Sequence, residues 1–176
     1  SVVIDVAMTE TARQADYVLP ATSQFEKAEA TFFNVEFPRN GFHLRQPLFP
    51  PRPGTLTEAE IHARLIEALG ELDNRHYRFL RRAARWGLTA FGLAFAWKVA
   101  RDKKVARYAP VVLYRTLGET LPKDIAPAAS LWGLSQIFVR KNRVAAARAG
   151  FTGNALAAGN KLFDAILSKP SGVIYS

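Results

Sequence analysis

The chain has 176 residues, 49% apolar and 22% charged, a balance that suits a folded domain with one good core and argues against disorder. It has no cysteine, which excludes a disulfide framework, a thiolate zinc site and a cysteine-bound iron–sulfur cluster within these residues and leaves the redox compartment unmarked. The net charge of +9 is lopsided: residues 1–70 hold six Lys/Arg against nine Asp/Glu, residues 71–176 eighteen against six, a pattern of a solvated basic face or of an anionic partner.

Val2 to Val6 is a short β-branched run suited to a buried strand of a parallel sheet. Thr9 to Ala15 offers a Thr cap followed by helix-compatible residues, and Tyr17 to Leu19 is a second strand ended by Pro20. Strand, short helix and strand within twenty residues predict the end of an open α/β sheet. Thr31 to Val35 is a third apolar patch. Between Phe37 and Gly54 five prolines predict an extended connection without regular hydrogen bonding, packed down by Phe42, Leu44, Leu48 and Phe49.

A helix is well marked next. Thr57 as N-cap with Glu60 three residues on predicts a capping box, Ile61, Leu65 and Leu69 line one face, and Gly70 is the stop. From residue 71 on, the spacing predicts a helical array: Tyr77 to Ala100 with Leu80, Ala84, Leu88, Phe91 and Phe95 at helical intervals, Pro110 to Leu117, Pro127 to Val139, and Asn154 to Leu167. No fixed repeat length supports a solenoid. The longest weakly charged run, Trp86 to Val99, contains Lys98 and is shorter than the ~20 apolar residues of a spanning helix. No signal peptide is readable; a cytoplasmic location is the default expectation. Ser1 runs straight into a strand and SGVIYS reads as the start of another, so the chain is expected to be an excerpt of a longer one.

Few constellations carry chemistry. His43, His62 and His76 lie on a loop, a helix and a helix start without a second ligand at metal spacing, and read as surface or packing residues. Nucleophile-elbow, Walker A and G-x-G-x-x-G patterns are missing, and GFTG at Gly150 to Gly153 reads as a turn. Arg75 to Trp86 interleaves arginine with aromatic residues, which serves nucleic acid or an anionic bilayer, although Tyr77, Leu80, Ala84 and Leu88 make an ordinary inner stripe that favours the plainer reading. Asp5, at the carboxyl end of its strand, stands where open α/β sheets bind nucleotides, with Glu26 and Lys27 after the next strand. The plainer reading makes Asp5 a cap of the following turn and Glu26 with Lys27 a solvated pair.

The order VVIDVAMTETARQADYVLP and then FEKAEATFFNVEFPRN closely resembles the later part of molybdopterin oxidoreductases of the dimethyl sulfoxide reductase family, which includes formate dehydrogenases and periplasmic nitrate reductases. The TETA block is Thr9 to Ala12, the AD pair Ala15 and Asp16, the LP pair Leu19 and Pro20; the family's G-T is Ala30-Thr31 here and its E-G-R is Glu36-Phe37-Pro38-Arg39, one residue longer. The resemblance implies the end of a Rossmann-like domain holding one of two molybdopterin guanine dinucleotides, with Asp5, Lys27 and Glu58 as cofactor contacts. The helical region resembles an insertion seen in a subgroup of actinobacterial-type homologues, by APVVLYRTLG at Ala109 to Gly118, LWGL at Leu131 to Leu134 and LFDAIL at Leu162 to Leu167.

The expected fold is thus an α/β fragment, the end of a Rossmann-like open sheet (residues 1–36), followed by a proline-rich connection (37–56), a capped helix closing the α/β part (57–70), a mainly α-helical basic region (71–169), and the start of a strand (170–176) leading to a further cofactor-binding domain. The expected function is that of a fragment, inactive alone, of a molybdenum oxidoreductase binding bis-molybdopterin guanine dinucleotide and acting by oxygen-atom transfer or formate-type oxidation. The molybdenum ligand and a 4Fe–4S cluster would lie outside it, the remaining domains of the same polypeptide are its expected partners, and the electron-transfer partner stays open. The alternative is a basic helical module docking on nucleic acid or an anionic membrane surface, nucleic acid being the less expected partner.

Overall fold

The structure, a computed structural model, describes residues 1–31, 41–169 and 171–174. Strand β1 (Val2–Asp5), helix α1 (Glu10–Arg13) and strand β2 (Tyr17–Pro20) form one small parallel unit in which Val2 lies opposite Tyr17 and Asp5 opposite Pro20. Thr9 starts α1 by accepting the amide of Ala12 at 3.3 Å. Beyond β2 the pattern continues onto a third parallel segment: Ala21 bridges to Leu56, with Leu56 donating to the Pro20 carbonyl and Thr22 donating to that of Leu56.

The proline-rich stretch is more regular than its composition suggests. Strand β4 (Gly41–Arg45) pairs antiparallel with β3 (Glu29–Thr31) on one side and β5 (Val173–Ile174) on the other. The five residues GFHLR contain no proline, so every amide can join a ladder; the prolines at 38 and 47 only bound the strand. Of the residues expected to pack this stretch down, Leu44 is buried and Phe42 half-buried, while Leu48 and Phe49 are exposed. Most of the expected third apolar patch, and Glu36 to Arg39, lie outside the described residues.

Helix α2 (Glu58–Ala68) keeps the expected ends. Thr57 accepts from Glu60 N, and Gly70, at φ +71°, closes a Schellman motif in which Gly70 N donates to Glu67 O and Glu71 N to Ile66 O. The reciprocal half of the capping box is not made, because the Glu60 carboxylate turns to Arg115.

The run expected as one helix from Tyr77 to Ala100 is two, α3 (Asn74–Ala84) and α4 (Leu88–Arg101). Gly87 between them sits at φ +99°, a left-handed conformation that stops helix propagation although the apolar spacing continues across it. Then come α5 (Lys103–Arg107), α6 (Ala109–Thr116) with Pro110 in its first turn, a 3-10 helix at Leu117–Thr120, another at Ala126–Ala129, α7 (Ser130–Lys141), α8 (Arg143–Arg148) and α9 (Ala155–Ser168), capped by Asn154. Pro127 belongs to the second 3-10 helix, so α7 begins three residues later than the sequence suggests.

The core sits among these helices. Phe91 of α4 meets Trp132 of α7 edge-on at 5.2 Å, Leu162, Phe163 and Ile166 of α9 fill the space beside them, and Leu44 and Val173 tie the β3–β4–β5 sheet to the same core. Around β1 and β2, by contrast, Val2, Val6 and Tyr17 are exposed.

Candidate nucleotide-binding edge

Three parallel segments, β1, β2 and the residue Leu56, end at the same edge of the sheet. Neighbouring strands stand about 4.8 Å apart, so the ends of the outer two are separated by about 10 Å. Asp5 closes the first segment, Lys27 follows the second across a short turn, and Glu58 opens the helix after the third.

Asp5 is partly exposed and is held by its own turn. It accepts the amides of Val6 (2.7 Å) and Ala7 (3.3 Å) on one carboxylate oxygen and the Thr9 hydroxyl (3.1 Å) on the other. The Ala7 amide, the Thr9 hydroxyl and the Val6 amide hold its carboxyl below the usual carboxylate range, so it is an anion with a fixed direction. This is the capping role that a strand-end aspartate plays with no ligand at all, and the oxygen that accepts from Thr9 keeps lone-pair capacity for another donor.

Lys27 and Glu58 are brought together. The Lys27 ammonium donates to Oε1 of Glu58, with the lysine side chain 15% and the glutamate 42% exposed. Both line a cavity of about 440 Å³ with Glu29, Thr57, Pro127 and Ser130, so the helical region supplies one of its walls. Asp5 is not part of that wall. Glu26, expected to pair with Lys27, is instead buried: it accepts the Ser23 amide at 2.9 Å and lies 3.5 Å from Arg52. Between Asp5 and Leu56, Thr22 is 1% exposed and its hydroxyl has no hydrogen-bond partner among the described residues. Of the histidines, His76 caps α3 with Asp73 and His62 lies against the Glu58 carbonyl.

The sequence left unread the cluster that fixes α2 in place. Arg115 of α6 grips Glu67 through Nε and Nη2 (2.8 and 2.9 Å) and Glu60 through Nη1 (2.6 Å). Tyr114 donates to Glu60 at 2.9 Å and Tyr77 to Glu67 at 3.0 Å. Burial opposes ionisation of Glu60, but hydrogen bonds from Arg64, Arg115 and Tyr114 outweigh it and hold the carboxyl below its ordinary value. Burial and the Glu60 carboxylate push the Tyr114 hydroxyl up to about 12.

Acid stability follows from these signs. Glu60, Asp102 and Asp73 have folded-state pKa values below their unfolded ones, so the stability they contribute is present above their ordinary values of 4.5 and 3.8 and is lost as pH falls through the folded values. Asp164, raised by burial, acts in the opposite sense but is one group against several. Thermal unfolding scans should therefore show a midpoint that declines below about pH 4.5, and Glu60→Gln should flatten the decline. A midpoint that rises on acidification would contradict the assignment.

The strands and the start of α2 at this edge lie within the stretch that resembles known proteins. Residues 1–68 match the family model Molybdopterin oxidoreductase. Probable oxidoreductase YoaE of Bacillus subtilis (strain 168) is 37% identical over 73 residues, covering 42% of this chain and 10% of that protein. The chain spans about a tenth of the length of that curated relative. No solved structure matches. The first 68 residues are thus molybdopterin oxidoreductase-like, both similarities point to an oxidoreductase, and the helical region lies beyond the family match.

Proposed function

We propose that this chain is part of a molybdenum-dependent oxidoreductase and that its parallel strand ends help to hold bis-molybdopterin guanine dinucleotide. In this reading β1, β2 and the Leu56 segment are the end of a Rossmann-like open sheet, and the helical region is an insertion following it. The enzyme would belong to the dimethyl sulfoxide reductase family. The observation that carries the reading is the shared edge: an ionised aspartate closes the first of three adjacent parallel segments and a lysine and a glutamate follow the other two, within the residues that match the family. Ligands of open α/β sheets bind outside the carboxyl ends of the strands.

The donor set suits a dinucleotide tail. Asp5 can accept from ring N–H groups or ribose hydroxyls, and the Lys27 ammonium can meet a phosphate or a base carbonyl once it leaves Glu58. The Thr22 hydroxyl is a further buried polar group without a partner among the described residues. The chain has no cysteine to offer the metal as a thiolate, and in this reading it contributes to the organic part of the cofactor while the molybdenum ligand lies outside it. When bound, the cofactor supplies two-electron chemistry, oxygen-atom transfer or formate-type oxidation, while these residues bind and orient it.

The test uses the full-length protein that carries this chain. Metal analysis and nucleotide release should find molybdenum with guanine nucleotide in about twofold excess. Asp5→Ala and Lys27→Met should each lower cofactor retention by roughly tenfold or more, as expected for loss of one hydrogen bond to a charged group. Full retention in both variants, or a wild-type protein without molybdenum and guanine nucleotide, would remove the reading.

A further inference from the structure

The outer surface of α3 and α4 exposes large apolar side chains. Helix α4 is apolar on both sides. Its inner side carries Phe91 and Gly92 in the core, while Leu93, Ala96, Trp97 and Ala100, spaced by three and four residues, lie exposed on the other. Leu93 is 64% and Trp97 49% exposed. Phe79 of α3, 50% exposed, touches Trp97 edge-on at 5.6 Å, so the outer sides of the two helices form one patch, and Trp86, 82% exposed, stands at the turn between them.

The rim of this patch is cationic. Arg78, Arg82 and Arg85 are exposed on and just past α3, and the Arg101 guanidinium lies over the Trp97 ring at 4.7 Å. Nearby acids are engaged by other cations: Asp73 by Arg75, Glu119 by Arg81 and Asp102 by Lys98. Among the described residues Arg78, Arg82 and Arg85 have no ionic partner. Helix α4 has 14 residues, about 21 Å at 1.5 Å per residue, and no described helix is long and apolar enough to cross a membrane.

We propose that this patch docks on an anionic lipid surface, with α4 lying in the plane of the interface. The two parts of the patch each find a counterpart there. Leu93, Ala96 and Ala100 enter the boundary between headgroups and acyl chains, Trp86 and Trp97 sit at headgroup depth, and the arginines meet lipid phosphates and carboxylates. A nucleic acid would satisfy the arginines and could stack on the aromatic rings, but it offers nothing to the aliphatic stripe of α4. The charge complementarity selects anionic over neutral lipid.

Vesicle flotation of the full-length protein tests this. Vesicles of phosphatidylcholine with about 30% phosphatidylserine should retain it, pure phosphatidylcholine should not, and added salt should release it. Tryptophan emission should shift to the blue on binding, and replacing the exposed Trp86 and Trp97 by Phe should reduce that shift. The double variant Arg82→Gln, Arg85→Gln should lower partitioning about twenty-five-fold, at about fivefold per cation removed, and Leu93→Asn should weaken it without altering the far-ultraviolet circular dichroism. No partitioning, equal binding to neutral vesicles, or retention of duplex DNA without any vesicle binding would each overturn the proposal; the salt titration of the unmodified protein decides it even if a variant fails to fold.

Discussion

Arg115→Ala is expected to destabilise the protein by about 3 kcal/mol, the size of effect seen when one partner of a largely buried ion pair is removed. The guanidinium is 19% exposed and serves two carboxylates, one 17% and the other 30% exposed. Its loss leaves Glu60 and Glu67 facing each other with only tyrosine hydroxyls and the surface residue Arg64 for company. Two half-buried anions without their cation repel and remain poorly hydrated, so the expected structural result is separation of α2 from α6. Arg115→Lys should recover only part of the loss, because one ammonium cannot bind two carboxylates in a forked geometry. The triple variant Arg115→Met, Glu60→Gln, Glu67→Gln removes the charges together and should be less harmful than Arg115→Ala alone. Denaturant titrations of the parent and the three variants decide it. A loss within about 1 kcal/mol for Arg115→Ala would mean that the cluster behaves as a surface pair.

That cluster also marks where reading the sequence stops. Helix α2 is legible because its ends are local: a Thr whose side chain accepts three residues on, and a Gly whose positive φ ends the helix. The parallel pair β1–β2 is legible for the same reason, as β-branched runs broken by a short polar segment and closed by Pro20. Arg115 reaches its carboxylates across 48 and 55 residues, and Lys27 reaches Glu58 across 31. Pairing at such separations leaves no periodic trace, which is why the sequence suggests the adjacent Glu26 as the partner of Lys27. The break at Gly87 is hidden because apolar spacing continues through it, and β4 because prolines on both sides dominate the composition. For the site, the sequence points to Asp5, Lys27 and Glu58, but not to the wall that Pro127 and Ser130 place opposite Lys27 and Glu58.

Trp132→Ala should cost about 4 kcal/mol, in the range for deleting a large buried aromatic side chain. The ring is 4% exposed, packs edge-on against Phe91 and Phe95, and its Nε1–H donates to Asn160 Oδ1 at 2.9 Å. Removing it opens a cavity between α4, α7 and α9 and withdraws one of two donors from Asn160, the other being Gln136 at 3.0 Å. Trp132→Phe keeps most of the packing and loses the N–H, so it should cost about 1 kcal/mol. Because α7 begins at Ser130, two residues before Trp132 and on the cavity shared with Lys27 and Glu58, the alanine variant should also raise hydrogen exchange at the start of α7. The same variant leaves only the exposed Trp86 and Trp97 as emitters, so its fluorescence should peak further to the red than that of the parent. Stability unchanged by Trp132→Ala would place the core of the helical region elsewhere and separate the cavity wall from the packing around Trp132.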